Sequence, residues 1–255
     1  MSKNIAVITG ASSGMGMEFA FQIDCLYTKI DEIWLIARRK ERLTELSKLL
    51  DTKSRIIPMD VSDKEDMEQF YSLLNVKNPK IRLLINCAGF GLMGKVEDIP
   101  IDRQLGMIDV NVRALTDMTY ACLPYLCKNA RVIQLASSAA FLPQKNFAVY
   151  AAGKSYVLSF SRALAEELRT KHIYVTAVCP GPVETEFFDN ASTYGHSLLL
   201  KEKTMVTADR VVKQALIDSH RKKQISVCSP LMKAFMLVTK ILPHRFIFFV
   251  MRFLK

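Results

Sequence analysis

Six cysteines are spread over the 255 residues, and none falls in a Cys-x-x-Cys pair or a Cys/His cluster. Scattered thiols at Cys25, Cys87, Cys122, Cys127, Cys179 and Cys228 fit a reducing compartment. They argue against a disulfide framework or a metal site. His172, His196, His220 and His244 have no carboxylate or cysteine partner at useful spacing, so no metal is expected. The N-terminus enters an apolar run after three residues, without a secretory or transit pattern, and a cytoplasmic location is expected. Acidic residues are missing from one region: Ser219 to Lys255 holds eight Lys/Arg and no Asp/Glu. The net charge of +10 therefore belongs to the tail, because the first 218 residues carry 27 basic and 25 acidic side chains. That near balance excludes a nucleic-acid footprint across the fold. Half the residues are hydrophobic and 24% are charged, which excludes disorder and supports a substantial core.

Strand-like and helix-like stretches alternate along the chain. Apolar runs at Asn4–Thr9, Glu32–Ala37, Arg55–Met59, Ile81–Asn86, Arg131–Ala136, Ile173–Val178 and Gln224–Val227 read as strands. Helical patterns fill the intervals, including Phe147–Thr170 and Ala208–His220, with two helical stretches in Asp102–Lys128. Strands this apolar on both faces belong in a buried parallel sheet. The alternation predicts an α/β, Rossmann-type, doubly wound parallel sheet with helices on both faces, in a single domain over residues 1–228. Residues 229–255 form a hydrophobic, basic tail. Trp34 sits mid-strand and reads as core.

Tyr150 and Lys154 stand four residues apart at the start of a long helical stretch. One turn puts both side chains on one face. An ammonium beside a phenol favours the phenolate and lowers its pKa from about 10, and a tuned tyrosine exchanges protons with a carbonyl or an alcohol. Alone, the spacing arises by chance on many helices. The first strand runs into Thr9-Gly10-Ala11-Ser12-Ser13-Gly14-Met15-Gly16. Glycines at such a bend let the backbone approach a pyrophosphate at a helix N-terminus. The second strand ends at Ala37-Arg38-Arg39, where an acidic residue would bond the ribose hydroxyls of NAD. Two arginines instead favour the 2′-phosphate of NADP. The alternative for Arg38 and Arg39 is a solvated charge run opening the next helix.

Together these residues resemble the classical short-chain dehydrogenase/reductase superfamily over roughly residues 3–190. TGASSGMG matches the family's TGxxxGxG, so Gly10, Ser12, Ser13, Gly14, Met15 and Gly16 are implied cofactor residues. Asp60-Val61 matches the acidic site expected to contact the adenine. Asn86-Cys87-Ala88-Gly89 matches NNAG, with Asn86, Ala88 and Gly89 under the cofactor. Pro180-Gly181-Pro182-Val183-Glu184-Thr185 matches PGxxxT, with Pro180, Gly181, Val183 and Thr185 cradling the nicotinamide and its phosphate. Tyr150 and Lys154 match YxxxK. Cys87, Gly153 and Arg113-Ala114 depart from the usual residues without removing a catalytic group.

The resemblance implies four catalytic roles. Tyr150 is the acid/base, and Lys154 lowers its pKa and bonds the nicotinamide ribose. Asn111 positions a water linking Lys154 to solvent, and a serine after the fifth strand holds the substrate oxygen. Alignment from the strand end selects Ser138, the preferred assignment, whereas the family's spacing back from Tyr150 selects Ser137. The expected activity is an NADP (NADPH)-dependent interconversion of a ketone and a secondary alcohol, of EC class 1.1.1, in a homodimer or homotetramer. The alternative is a catalytically silent dinucleotide sensor or membrane scaffold on the same fold.

Residues 186–205 correspond to the family's substrate lid. They carry Phe187, Phe188, Tyr194, Leu198, Leu199, Leu200 and Met205, which suggests a small lipophilic substrate such as a steroid, bile acid or acyl lipid. In the tail, Leu231–Leu242 has nine apolar residues in twelve and Phe246–Leu254 has eight in nine, separated by Pro243. Each helix would span under ~20 Å, too short for a ~30 Å hydrocarbon core. Lys233, Lys240, Arg245, Arg252 and Lys255 punctuate these stretches, as in an interfacial anchor at the inner face of a membrane. The alternatives for residues 231–255 are a subunit interface or a cover over the cleft.

Overall fold

Seven strands lie side by side in one parallel sheet, with the central ones buried along most of their length. The computed structural model describes residues 2–187, 191, 194 and 205–253. The sheet strands are β1 (Asn4–Thr9), β2 (Glu32–Ala37), β3 (Ser54–Pro58), β4 (Lys80–Asn86), β5 (Leu126–Leu135), β6 (Tyr174–Val178) and β9 (Ile225–Ser226), in the order β3-β2-β1-β4-β5-β6-β9. β7 (Val183–Glu184) pairs in parallel with β8 (Val206–Thr207) outside that sheet. The helices are α1 (Gly14–Leu26), α2 (Lys40–Lys48), α3 (Lys64–Lys77), α4 (Ile101–Ile108), α5 (Leu115–Cys122), α6 (Ala148–Glu167), α7 (Ala208–His220), α8 (Pro230–Ile241) and α9 (His244–Phe253).

Period-two alternation distributes each central strand between two cores. Ala6 and Ile8 of β1, with Ile33 and Leu35 of β2, pack against α1, α2 and α7 through Phe19, Leu43 and Val212. Ile5 and Val7, with Trp34 and Ile36, face the opposite side, against Phe70 of α3, Met118 of α5 and Leu164 of α6. Trp34 is fully buried, edge-on to Phe70, as the sequence suggests. This is the doubly wound α/β architecture. The strand order reverses between β1 and β4, so a crevice opens there at the carboxyl ends of the strands.

Two elements differ from expectation. β5 starts at Leu126 rather than Arg131, because Leu126 pairs with Ile81 across a register shift that the polar Lys128-Asn129 hides in the sequence. Between α4 and α5, Asp109–Ala114 winds as a π-helix. That wider turn carries Asn111, and such bulges concentrate at functional sites.

Candidate active site

The glycine turn begins where β1 ends. Gly10 sits at φ +69°, and a Cβ there would lie 2.8 Å from the Ala88 amide. Thr9 Oγ1 accepts from the Cys87 and Ala88 amides at 3.0 and 3.1 Å, tying the ends of β1 and β4 together. At Gly16 a Cβ would fall 2.2 Å from the Gly10 carbonyl, so α1 crosses directly over the turn. The N-cap, Ser13, makes no side-chain bond to the first turn of α1. Those first-turn amides are donors suited to a phosphate.

Arg39, the N-cap of α2, stands beside the glycine turn. Its guanidinium donates to Ser12 Oγ from two nitrogens at 3.2 Å, to Ser13 Oγ at 2.8 Å and to Glu186 Oε2 at 3.0 Å. Arg42, in the first turn of α2, holds the other oxygen of Glu186. Bonds from Arg42 and Arg39 keep the Glu186 carboxyl below its ordinary pKa. Arg38 is mostly exposed and lies 3.7 Å from Asp60 Oδ2. Burial pushes Asp60 up, but the Ser62 hydroxyl and amide and Arg38 outweigh it and leave the carboxyl below its usual value. Val61 packs into the core behind Asp60.

Asn86 does not turn its side chain toward the groove. Its amide donates to Thr119 Oγ1 at 2.9 Å and Gln134 Oε1 at 3.0 Å, tying β4, β5 and α5 into one buried network. The reason is register: Asn86 and Gln134 are direct neighbours on adjacent strands.

The reaction end is a cleft lined by Met15, Cys87, Gly89, Leu135, Ser137, Ser138, Tyr150, Lys154, Gly181, Thr185 and Phe187, among others. It brings the glycine turn, the ends of β4 and β5, α6 and the Pro180–Thr185 segment together. Tyr150, in the first turn of α6, is 7% exposed, stacked on Phe147 at 4.2 Å and tilted against Phe187 at 5.5 Å. Lys154 Nζ donates to the Leu135 carbonyl at 2.7 Å and lies 5.6 Å from the centre of the Tyr150 ring. The ammonium thus sits over the ring face, and the expected lowering of the phenol by Lys154 is absent. Burial instead raises the Tyr150 phenol to about 12, opposed by the nearby Ser137 side chain. Burial also lowers Lys154 to about 8, opposed by the neighbouring Cys87 and Cys179 thiols.

Ser137 and Ser138, the preferred assignment, both line this cleft, and the Ser137 side chain is the one whose influence reaches the Tyr150 phenol. β5 ends at Leu135, so neither serine belongs to the strand whose alternation was to choose between them. Ser137, extended at φ −169°, caps the following 3-10 turn by accepting from the Ala139 amide at 3.1 Å. Ser138 is already inside that turn, its own amide bonded to the Pro180 carbonyl at 2.8 Å. Asn111 bonds the Phe90 backbone twice, accepting from its amide at 3.1 Å and donating to its carbonyl at 2.7 Å. A Cβ at Gly89 would lie 2.5 Å from Asn111 Oδ1 and 3.5 Å from Lys154 Nζ. Only a glycine leaves that space beside the ammonium open, so the groove fits a dinucleotide from the glycine turn to Lys154.

Phe147, Arg42 and Glu186 join the site without having been singled out in the sequence. The i, i+3 spacings of Phe147 to Tyr150 and Arg39 to Arg42 are local signals, whereas Glu186 meets its arginines only in three dimensions. Within the lid, Phe187 and Tyr194 pack in the cluster around Tyr150. Phe188, Leu198, Leu199 and Leu200 lie outside the described residues, as do His196 and Lys255.

A family model described as short chain dehydrogenase matches residues 4–194. An uncharacterized oxidoreductase of Staphylococcus epidermidis is 31% identical over 222 residues, 86% of this chain and 94% of the relative. Among solved structures, a short-chain dehydrogenase from Sphingobium yanoikuyae in complex with NADPH superposes with a TM-score of 0.77 at 24% identity, covering 94% of this chain and 96% of that one. A short chain dehydrogenase/reductase from Burkholderia phymatum in complex with NAD gives 0.80 at 20% identity, covering 93% and 92%.

Proposed function

As the chain belongs to the short-chain dehydrogenase family, and so to the NAD(P)-dependent oxidoreductases acting on CH–OH groups, we propose that it interconverts a ketone and a secondary alcohol on a lipophilic molecule, using NADP(H). The observation that carries this reading is the convergence of Ser137, Tyr150 and Lys154 on one cleft, beside a glycine turn backed by arginines. The turn from Gly10 to Gly16 and the start of α1 would hold a pyrophosphate. Arg38 and Arg39 would hold a 2′-phosphate, and Pro180–Thr185 the nicotinamide end. A nicotinamide dinucleotide bound there supplies or accepts the hydride.

The chain's own residues manage the proton. In the reducing direction, the Tyr150 hydroxyl gives its proton to the carbonyl oxygen, and Ser137 offers a second donor to that oxygen. A phenol held near 12 is fully protonated at neutral pH and ready to donate. Lys154, lowered to about 8, carries a proton that is easily lost and regained beside the same ring. Asn111 holds the Ala88–Phe90 loop against Lys154 and orients the route to solvent. The aromatic walls from Phe147 and Phe187 support a lipophilic substrate.

Residues 229–255 act, in this reading, as an interfacial segment beside the catalytic domain. Met232 of α8 would touch a Cβ at Gly181 at 3.0 Å, so the tail packs next to the reaction cleft.

The test is NADPH oxidation across a panel of lipophilic ketones, with Tyr150→Phe alongside. The variant should bind NADPH as the parent does and lose at least about 10²-fold in kcat. Turnover retained by Tyr150→Phe would sink the mechanism.

A further inference from the structure

Arg39, the N-cap of α2, and Arg42, in the first turn of the same helix, both close on one carboxylate. Arg39 takes Glu186 Oε2 at 3.0 Å while Arg42 takes Oε1. Around the same guanidinium stand the Ser12 and Ser13 hydroxyls at 2.8–3.2 Å. Two guanidinia and two hydroxyls in this arrangement suit a tetrahedral dianion better than a planar monoanion, since a phosphate offers three acceptor oxygens and up to two charges. The carboxylate seated there comes from the other end of the groove. Glu186 follows Thr185, which lines the reaction cleft, and precedes Phe187, whose ring leans on Tyr150 at 5.5 Å.

We propose that Glu186 is a specificity-determining residue, an internal anion that occupies the 2′-phosphate site formed by Ser12, Ser13, Arg39 and Arg42 and must be displaced by the coenzyme's 2′-phosphate. This deepens the NADP reading and rests on it. A ligand with the 2′-phosphate exchanges one anion for a more highly charged one on the same arginines. A ligand without it leaves the Glu186 pairs in place and gains nothing from them. Arg42 thereby joins the phosphate ligands, although it lies three residues beyond the Arg38-Arg39 pair. The competition also keeps part of the affinity for the phosphate hidden, because one of the two guanidinium charges is already balanced by Glu186.

The experiment is isothermal titration of the full-length protein with 2′,5′-ADP and with 5′-ADP, for the parent, Glu186→Gln and Arg42→Ala. Glu186→Gln should bind 2′,5′-ADP about two- to fivefold more tightly, the scale of an ion pair removed from competition. Its affinity for 5′-ADP should be unchanged, which also reports that the variant is folded. Arg42→Ala should weaken 2′,5′-ADP alone. If Glu186→Gln binds 2′,5′-ADP no better than a parent that prefers it over 5′-ADP, Glu186 is a structural bridge only and the proposal falls while the NADP reading stands. If neither chain prefers 2′,5′-ADP, the NADP reading itself falls and takes the proposal with it.

Discussion

At the residue scale, the phenol of Tyr150 is pulled two ways. Burial raises it, because a phenolate would lose its hydration, and the nearby Ser137 side chain lowers it. Ser137 is thus the side chain that bears on Tyr150, the proposed acid/base, whereas Ser138 lines the same cleft from inside a 3-10 turn. Alanine substitution at each separates the two. Ser137→Ala should cost about 10²–10³ in kcat, the scale of one lost donor to a developing oxyanion. Ser138→Ala should stay within about tenfold of the parent. The opposite ranking in steady-state kinetics would return the role to Ser138. The residues legible in the sequence are the glycine turn and Tyr150 with Lys154, defined by local spacing, and Asn111, implied by the family resemblance. The direction of Asn86 was not legible, because it depends on which neighbour the register supplies, and that neighbour is Gln134, 48 residues away. Glu186 was hidden for the same reason, being 147 residues from Arg39.

At the scale of elements, the strand and helix order followed from hydrophobic pattern alone, and α7 was bounded at the residues where it lies. The pattern failed where pairing overrides it, at the polar start of β5, and where a helix keeps its apolar face but changes its winding, at Asp109–Ala114. The glycines show how backbone packing, rather than propensity, sets tolerance. A Cβ at Gly16 meets a backbone carbonyl at 2.2 Å, which no rotamer change relieves. A Cβ at Gly153, within α6, meets Val112 Cγ2 at 3.5 Å, an ordinary contact. Gly16→Ala should therefore destabilise by about 1–3 kcal/mol and weaken NADPH binding, as α1 is pushed off the turn. Gly153→Ala should instead stabilise by about 0.5–1 kcal/mol, from the helix-interior preference for alanine. Urea midpoints for the two variants check both signs, and equal midpoints would show that α1 yields more easily than its packing implies.

At the scale of the whole molecule, the excess positive charge lies in the tail, beside exposed apolar side chains. One side of α8 is spent on the domain: Met232 and Met236 pack on the cluster around Val157 and Cys179, and Phe235 meets Phe141 at 6.4 Å. Leu237 and Ile241 of α8 and Phe246 and Phe249 of α9 are each more than half exposed, with Lys233, Lys240 and Arg245 exposed beside them. Among the described residues no helix is long and apolar enough to cross a membrane. In the reading proposed above, this surface would lie in the interface as a helix pair. Apolar contact and charge then act together: each cation near an anionic surface contributes about 1 kcal/mol, and three amount to roughly 10²-fold in affinity. Full-length protein should co-float with vesicles containing phosphatidylglycerol and much less with phosphatidylcholine alone, and the difference should shrink as salt screens the charge. Phe246→Glu with Phe249→Glu should abolish flotation without touching the side of α8 that packs on the domain. Binding that is equal on both lipids, or indifferent to those two substitutions, would assign the exposed face to another chain rather than to lipid.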